Sequence, residues 1–162
     1  PIHRLDKDTA GVMLLSLNPA TRRDYQTMFQ EKTVQKTYEA VAPTRTDLNY
    51  PLDISSRMER GEKFFLTRET EGKPNAHTTI ELIENRGAFS LYRLTPHTGK
   101  KHQLRVHMMS LNMPLMNDAL YPTPLAAGDE DYDKPLKLLA KKIEFTDPVS
   151  KEIRVFESGF TL

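Results

Sequence analysis

Two strand-like runs separated by a short turn constrain the fold more than any other feature of this sequence. His77–Glu84 alternates between polar and apolar residues, and Phe89–Thr95 forms a second run rich in β-forming residues. Asn85-Arg86-Gly87 between them supplies residues that favour turns. Since successive side chains of a strand point to opposite faces, the pattern predicts an antiparallel hairpin with one buried face.

Further strand-like runs extend this hairpin into a sheet. A short apolar run bounded by polar segments is typical of a buried strand. The predicted strands are Val12–Leu17, Thr37–Val41, Phe64–Leu66, Leu136–Phe145 and Ile153–Glu157.

Two helices are predicted beside the strands. Asn18 is typical of an N-cap and Pro19 of a first helical position, so the first helix is expected to run to about Gln30. Its predicted inward positions are Ala20, Tyr25, Met28 and Phe29. The second helix follows Gly99, and its predicted common face carries Leu104, His107, Met108 and Leu111. The predicted class is α+β, with a mixed, largely antiparallel sheet flanked by helices and loops.

Length and composition limit the class of protein. At 162 residues the chain is the size of one domain, and we expect a single domain over residues 1–162. A hydrophobic content of 38% with 28% charged residues is typical of a soluble globular protein. The sequence has no apolar run of about 18 residues, so no membrane partner is predicted. The absence of cysteine fits a reducing compartment, and the cytoplasm is expected.

Positive charge is concentrated in one segment, although the formal net charge is only +1. Residues 93–107 contain no acid, and their basic residues are Arg93, His97, Lys100, Lys101, His102, Arg105 and His107. From charge alone the segment is either a nucleic-acid-binding patch or a solvated polar face.

Asp6 has three interpretations: a reactive carboxylate, half of a metal-binding pair with Asp8, or a turn residue. Asp6-Lys7-Asp8-Thr9 resembles the nucleophile motif of magnesium-dependent haloacid-dehalogenase-type phosphatases, but there the first Asp ends a buried strand, whereas here the apolar run follows the acids. His97, His102 and His107 are five residues apart and do not share a helix face, so no metal site is predicted.

Five segments carry a stronger pattern. They are HRLDKDTAG at 3–11, KTY at 36–38, TGKKHQLRVH at 98–107, PLMNDALY at 114–121 and LKLLAKKIEFTDP at 136–148. Together, in order and approximate spacing, they resemble the RluA-like branch of the pseudouridine synthases, which modify ribosomal and transfer RNA. The resemblance spans nearly the whole chain and implies the pseudouridine synthase fold.

The chain also departs from the family pattern. Ala10 stands where Ser is usual, Lys100 replaces an Arg and so loses its bidentate fork, and Asn117 replaces a Gly, which suggests a left-handed backbone position. Family members carry a further N-terminal segment with a strand and a Lys-Pro element, often after a small RNA-binding domain. The chain is therefore expected to be a fragment that lacks this segment.

The resemblance implies an enzyme that isomerises uridine in structured RNA to pseudouridine, without metal or cofactor. Asp6 is the implied catalytic carboxylate, which either attacks the sugar or removes a proton. Tyr38 is expected to stack on the uracil and to assist the final proton transfer. Arg105 is the implied ion-pair partner that keeps Asp6 ionised.

Other residues are expected to bind the RNA. Leu104 is implied as an apolar wall of the pocket, and Arg4 as the group that fills the stack vacated by the flipped uridine. His3, Lys100 and His102 are expected to bear on the RNA backbone. The expected partner is ribosomal or transfer RNA, bound by a monomer; the alternative is a non-catalytic RNA-binding module that retains the fold.

Overall fold

A mixed eight-stranded sheet forms the scaffold in the computed structural model, which describes residues 1–126 and 128–162. The strands are β1 (Ala10–Gly11), β2 (Gln35–Pro43), β3 (Leu52–Arg60), β4 (Thr67–Thr70), β5 (Ala76–Asn85), β6 (Phe89–Pro96), β7 (Leu138–Thr146) and β8 (Ile153–Glu157). The helices are α1 (Arg22–Gln30) and α2 (Gln103–Ser110). The strand order is β1-β7-β2-β6-β5-β3-β4, with β8 also on β7.

The predicted hairpin and fold class are confirmed. β5 and β6 pair antiparallel, and residues 76, 78 and 80 of β5 are buried while 77 and 79 are partly exposed. Every strand pair found among the described residues is antiparallel except β1 with β7. The strands predicted at Thr37–Val41, Leu136–Phe145 and Ile153–Glu157 correspond to β2, β7 and β8.

The strand predicted at Val12–Leu17 is wrong. Only Ala10 and Gly11 pair with β7, and Leu15 and Leu17 are 63% and 92% exposed. The physical reason is competition for one edge, because β8 occupies β7 from Lys142 to Thr146. The apolar run therefore leaves the sheet after its first contact.

The polar segment 53–75 was also predicted incorrectly. Phe64–Leu66 lies in the turn between β3 and β4, and Phe64 is largely exposed. The sequence pattern missed β3, because its alternation is weak and its residues are mostly polar. Pairing with β5 and β4 on its two edges, rather than hydrophobicity, makes this segment a strand.

The first helix begins later than predicted. The Asn18 side chain accepts a hydrogen bond from the Ala20 backbone N–H at 3.0 Å, which makes a turn before Arg22, and Ala20 is exposed. The other inward positions are confirmed: Tyr25, Met28 and Phe29 pack in a cluster with residues of β7.

The second helix is buried on more than the predicted face. Leu104 and Met108 pack in the main core, while Val106 belongs to a different cluster with Tyr121. Arg105, which is not part of the predicted face, is 1% exposed. The helix therefore lies between the sheet and the loop that carries Tyr121, and this places charged and polar groups of α2 in the interior.

Within the described ranges, neither helix has the length and apolar character needed to span a membrane.

Candidate active site

A cavity of about 320 Å³ lies where the N-terminal loop, β2 and the start of α2 meet. Its size is in the range of small-ligand pockets. All the predicted site residues except His3 line it: Arg4, Asp6, Tyr38, Lys100, His102, Leu104 and Arg105. Residues from three segments of the chain, at 4–9, 36–38 and 96–105, thus converge on one cavity. Leu104 forms part of its apolar wall.

Asp6 is the carboxylate of this cavity. Its side chain is 21% exposed, with Oδ2 3.8 Å from Arg105 Nη1 and Oδ1 3.9 Å from His102 Nε2. The Arg105 contact is an ion pair, and both separations are too long for hydrogen bonds. Asp8 does not line the cavity, so the two acids of the Asp-x-Asp motif do not act as a pair there.

The Asp6 loop is held by a close contact between backbones. Gly11 has φ +114°, and a Cβ at this position would collide with the backbone of Ala140. The next amide, Val12 N–H, donates to Ala140 O at 3.0 Å. Only glycine tolerates both this φ and this approach, which gives a structural reason for the Gly at the end of the HRLDKDTAG segment.

His3 supports the same loop from its other end. Its Nε2 accepts a hydrogen bond from Leu14 N–H at 2.9 Å, and its ring stacks on Phe29 with centroids 4.6 Å apart. Burial, followed by the charge of Lys36, lowers the pKa of His3, so the imidazole is neutral at pH 7 and its Nε2 is free to accept. His3 therefore holds the loop that carries Asp6 and does not line the cavity, and its expected contact with the RNA backbone stays a prediction.

Arg105 has a closer partner than Asp6. Its Nε lies 2.9 Å from Asp118 Oδ2 and its Nη2 lies 2.5 Å from Oδ1, a bidentate pair in which both side chains are 1% exposed. Burial alone would lower the pKa of Arg105, but Asp118 and then Asp6 reverse this effect and raise it. The predicted Arg105–Asp6 contact is therefore present, but it is longer than the contact of Arg105 with Asp118.

Asp118 is the functional residue that sequence reasoning missed as a site residue. Its Oδ1 also accepts the backbone N–H groups of Leu120 and Tyr121, which fixes the loop beside α2. A signal was present, because Asp118 lies in the PLMNDALY segment and an arginine on a buried helix requires a counter-charge. Asn117 before it has φ 61°, as the substitution for glycine suggested.

His102 joins Tyr121 to the cavity. Its Nδ1 lies 2.8 Å from the Tyr121 hydroxyl, which also bonds to the backbone of Thr67. Burial lowers the pKa of His102 despite the opposing charge of Asp6, so the ring is neutral at pH 7. It presents Nε2 towards Asp6, an orientation that adds polarity near the carboxylate without a second positive charge.

Tyr38 lies in β2 at a register shift between Thr37 and Tyr38. Burial, followed by the charge of Asp6, raises the pKa of Tyr38 to about 12. The hydroxyl is therefore protonated at neutral pH, and the ring provides a flat face within the cavity.

Basic side chains surround the cavity opening. Arg4, Lys100 and Lys101 line it and are exposed, so they are accessible to a polyanion. Lys36 also lines the cavity, and its burial lowers its pKa. The turn that carries Lys100 is fixed by Gln103, whose Oε1 accepts the Lys100 N–H at 3.0 Å and the Thr98 hydroxyl at 2.7 Å.

The chain is similar to a family of known proteins. A family profile described as RNA pseudouridylate synthase matches residues 1–110. A ribosomal large subunit pseudouridine synthase D of Borreliella burgdorferi is 38% identical over 123 residues, which cover 74% of this chain and 37% of the relative. A dual-specificity RNA pseudouridine synthase RluA of Pasteurella multocida is 30% identical over 157 residues, which cover 94% of this chain and 69% of the relative.

A solved structure shows the same fold. Human RNA pseudouridylate synthase domain containing 1 superposes with a TM-score of 0.80 at 24% identity, covering 98% of this chain and 68% of that one. An uncharacterized RNA pseudouridine synthase of Haemophilus influenzae is 33% identical over 144 residues, which cover 89% of this chain and 62% of the relative. The chain thus spans 37% and 62% of the Borreliella and Haemophilus relatives' lengths.

Proposed function

Since the chain belongs to the RNA pseudouridylate synthase family, we propose that it isomerises uridine in structured RNA to pseudouridine, with Asp6 as the catalytic carboxylate. The observation that carries the proposal is the convergence of Asp6, Tyr38 and Arg105 on one cavity from three distant segments. The relatives' names point to ribosomal RNA of the large subunit, or to more than one kind of RNA, as substrate.

The reaction breaks the N1–C1′ bond of uridine, turns the uracil and forms a C5–C1′ bond. Neither atom is accessible in a stacked helix, so the nucleotide must flip into the cavity. Arg4 is exposed at the opening and is suited to occupy the vacated stack through its planar guanidinium. Leu104 supports the flipped base from the apolar side.

Asp118 allows Arg105 to stabilise Asp6 without covering it. Because the guanidinium fork is bound to Asp118, Asp6 has the positive charge at 3.8 Å and no short hydrogen bond from it. The lone pairs of Asp6 are then free either to attack C1′ or to take the 2′ proton. Both routes end with Asp6 as a free carboxylate.

Tyr38 completes the reaction at C5. After the new bond forms, the C5–H bond breaks, its electron pair restores the C5–C6 double bond, and N1, now free of C1′, takes up a proton from water. The C5 proton passes to the Tyr38 oxygen while the phenolic proton leaves for the Asp6 carboxylate or for water. This concerted exchange avoids a phenolate, which the raised pKa of Tyr38 disfavours.

The RNA backbone lies against Lys100, Lys101 and Lys36 in this proposal, since these groups surround the cavity. Phosphate contacts of this kind make binding weaken as salt rises. The proposed enzyme acts as a monomer in the cytoplasm, and its chemistry needs neither a metal nor a cofactor.

The test compares Asp6→Asn with Asp8→Asn by release of tritium from RNA labelled at C5 of uridine. Asp8 lies in the same loop but does not line the cavity, so it is the matched control. We expect Asp6→Asn to abolish release because the amide has no charge to act as nucleophile or base, while Asp8→Asn retains it. EDTA should leave the wild-type rate unchanged.

Release by Asp6→Asn at the wild-type rate would overturn the assignment of Asp6. A wild-type chain that binds RNA without releasing tritium would instead support the non-catalytic RNA-binding alternative. A strict requirement for magnesium would contradict the proposed metal-free chemistry.

A further inference from the structure

Three side chains that could bind a metal meet on the sheet face opposite to α2. Asp53 of β3, His77 of β5 and His97 directly after β6 each offer one ligand atom, and these atoms lie within 4.8 Å of one another. His107 and Gln103 of α2 bond to Thr78, whereas His77 and Thr79 flank Thr78 in sequence and so point to the other face. The cluster is thus separate from the cavity residues Asp6, Tyr38 and Arg105.

The register of the strands builds this cluster. Asp53 pairs with Thr79, which makes Asp53 a diagonal neighbour of His77. The backbone N–H of His97 donates to His77 O at 3.0 Å, so the two histidines lie opposite each other and their rings stack with centroids 4.4 Å apart. Three adjacent strands therefore contribute one side chain each from a rigid surface.

We propose that Asp53, His77 and His97 form a binding site for zinc or a similar divalent transition-metal ion. Two imidazoles and a carboxylate are a zinc ligand set, and they suit transition metals better than Mg²⁺ or Ca²⁺, which prefer oxygen. Tetrahedral ligands at zinc bonds of about 2.0 Å are about 3.3 Å apart. The His77 Nε2 to Asp53 Oδ1 distance is already 3.3 Å.

Thr79 lies between two of the proposed ligands and holds them together in the absence of an ion. Its hydroxyl donates to Asp53 Oδ1 at 2.5 Å and lies 2.8 Å from His97 Nε2. Since three protein ligands leave a fourth position open, water or an external donor completes the coordination.

The partial exposure of the cluster makes it accessible to an ion from solvent. The side chains of Asp53 and His77 are 67% and 41% exposed. A bound ion would join β3, β5 and the end of β6. This point lies next to the cavity, because the Thr98 hydroxyl accepts the His77 N–H at 2.9 Å and residues Thr98–Lys101 line the cavity.

The test titrates zinc into the EDTA-treated, dialysed chain, without a polyhistidine tag, by calorimetry. We expect one ion per chain, and affinity at least about tenfold weaker in each of His77→Asn, His97→Asn and Asp53→Asn. Glu84→Gln is the matched control, since it removes an exposed carboxylate at the far end of β5. It should bind zinc as the wild type does, and Mg²⁺ should give no binding.

Circular dichroism establishes that each variant is folded, and d–d absorption of Co²⁺ reports the coordination geometry independently. Absence of zinc binding by the wild type would overturn the proposal. So would a zinc affinity in the three variants equal to that of the wild type. The zinc titration and the tritium-release assay test separate proposals, because the Asp53–His77–His97 cluster does not include Asp6. A failure to bind zinc would leave the proposed uridine chemistry untouched.

Discussion

In the proposed reaction, the protonation state of Tyr38 determines what its hydroxyl can do. A phenol with a pKa of about 12 is not a base at neutral pH unless it gives up its own proton as it accepts another. In the proposed reaction the ring and the hydroxyl therefore have separable roles: the ring supports the uracil by stacking, and the hydroxyl transfers the C5 proton.

Tyr38→Phe separates these two roles. The ring is retained, so we expect RNA affinity measured by fluorescence anisotropy to change little. Turnover should fall about 10²- to 10⁴-fold, the usual contribution of a positioned proton-transfer group. Tyr25→Phe is the control, because its hydroxyl bonds to Asp147 in a cluster away from the cavity. Turnover of Tyr38→Phe near the wild-type rate would limit Tyr38 to stacking.

At the scale of elements, the shortest strand has the largest effect on the site. β1 contributes two residues to the sheet, yet its Gly11 fixes the loop that presents Asp6. His3 closes the base of that loop onto Leu14. Misplacement of a catalytic group by about 1 Å can cost about 100-fold in rate, so we expect the proposed activity to depend on this contact.

Gly11→Ala should displace the Asp6 loop. The new Cβ meets the Ala140 backbone, which cannot yield as a flexible side chain can. We expect unfolding free energy to fall by about 2–4 kcal/mol, from strain and collision together, and turnover to fall about 100-fold. Chemical denaturation and tritium release measure the two effects.

Gly87→Ala is its control. Gly87 also has a positive φ, 91°, but a Cβ there meets nothing within 4 Å. This change should cost about 1 kcal/mol from backbone strain alone and leave turnover intact. If Gly11→Ala and Gly87→Ala lost activity equally, the loss in Gly11→Ala would not be due to the β1–β7 contact.

Sequence patterns predicted correctly those elements whose local residue pattern matches the neighbours that they pair with in the fold. The β5–β6 hairpin combines alternation with a turn, and both survive in the fold. Val12–Leu17 has the apolarity of a strand but lacks a free edge, because β8 competes for β7, and no local pattern encodes that competition. The roles of Asp6, Tyr38 and Arg105 in the reaction remain predictions, although their shared cavity was foreseeable from motif order.

The pairing of Arg105 with Asp118 illustrates a second limit. Both residues lie in motifs that the sequence displays, but which acid takes the guanidinium fork depends on how the 114–121 loop folds onto α2. Likewise the Asp53–His77–His97 cluster arises from strand register, whereas the five-residue spacing of His97, His102 and His107 along the sequence indicated no metal site.

At the scale of the whole molecule, a buried imidazole couples stability to pH. His107 is fully buried between α2, β3 and β5, with Ser56 Oγ at 3.1 Å and Thr78 Oγ1 at 2.9 Å. Burial, followed by the charge of His77, lowers the pKa of His107 to about 4. Glu69 is the nearest acid, at 3.9 Å.

Below pH 6.5 the unfolded chain binds a proton at His107 that the native chain does not bind until about pH 4. Stability should therefore fall as pH drops through this window, by roughly 3 kcal/mol for a shift of this size. In His107→Gln, urea unfolding at pH 4, 5, 6 and 7 should show a shallower slope on pH than in the wild type. Parallel curves would show that His107 does not set the acid sensitivity.

The pairing of Ala10 with Leu139 has a consequence for the order of folding. The loop that carries Asp6 is synthesised before the strand that holds it. Contacts so distant along the chain require a large loop closure and form late. A nascent chain could therefore pair β2, β6, β5 and β3 while the Asp6 loop was still unanchored, so that the cavity would be complete only when synthesis had passed β7.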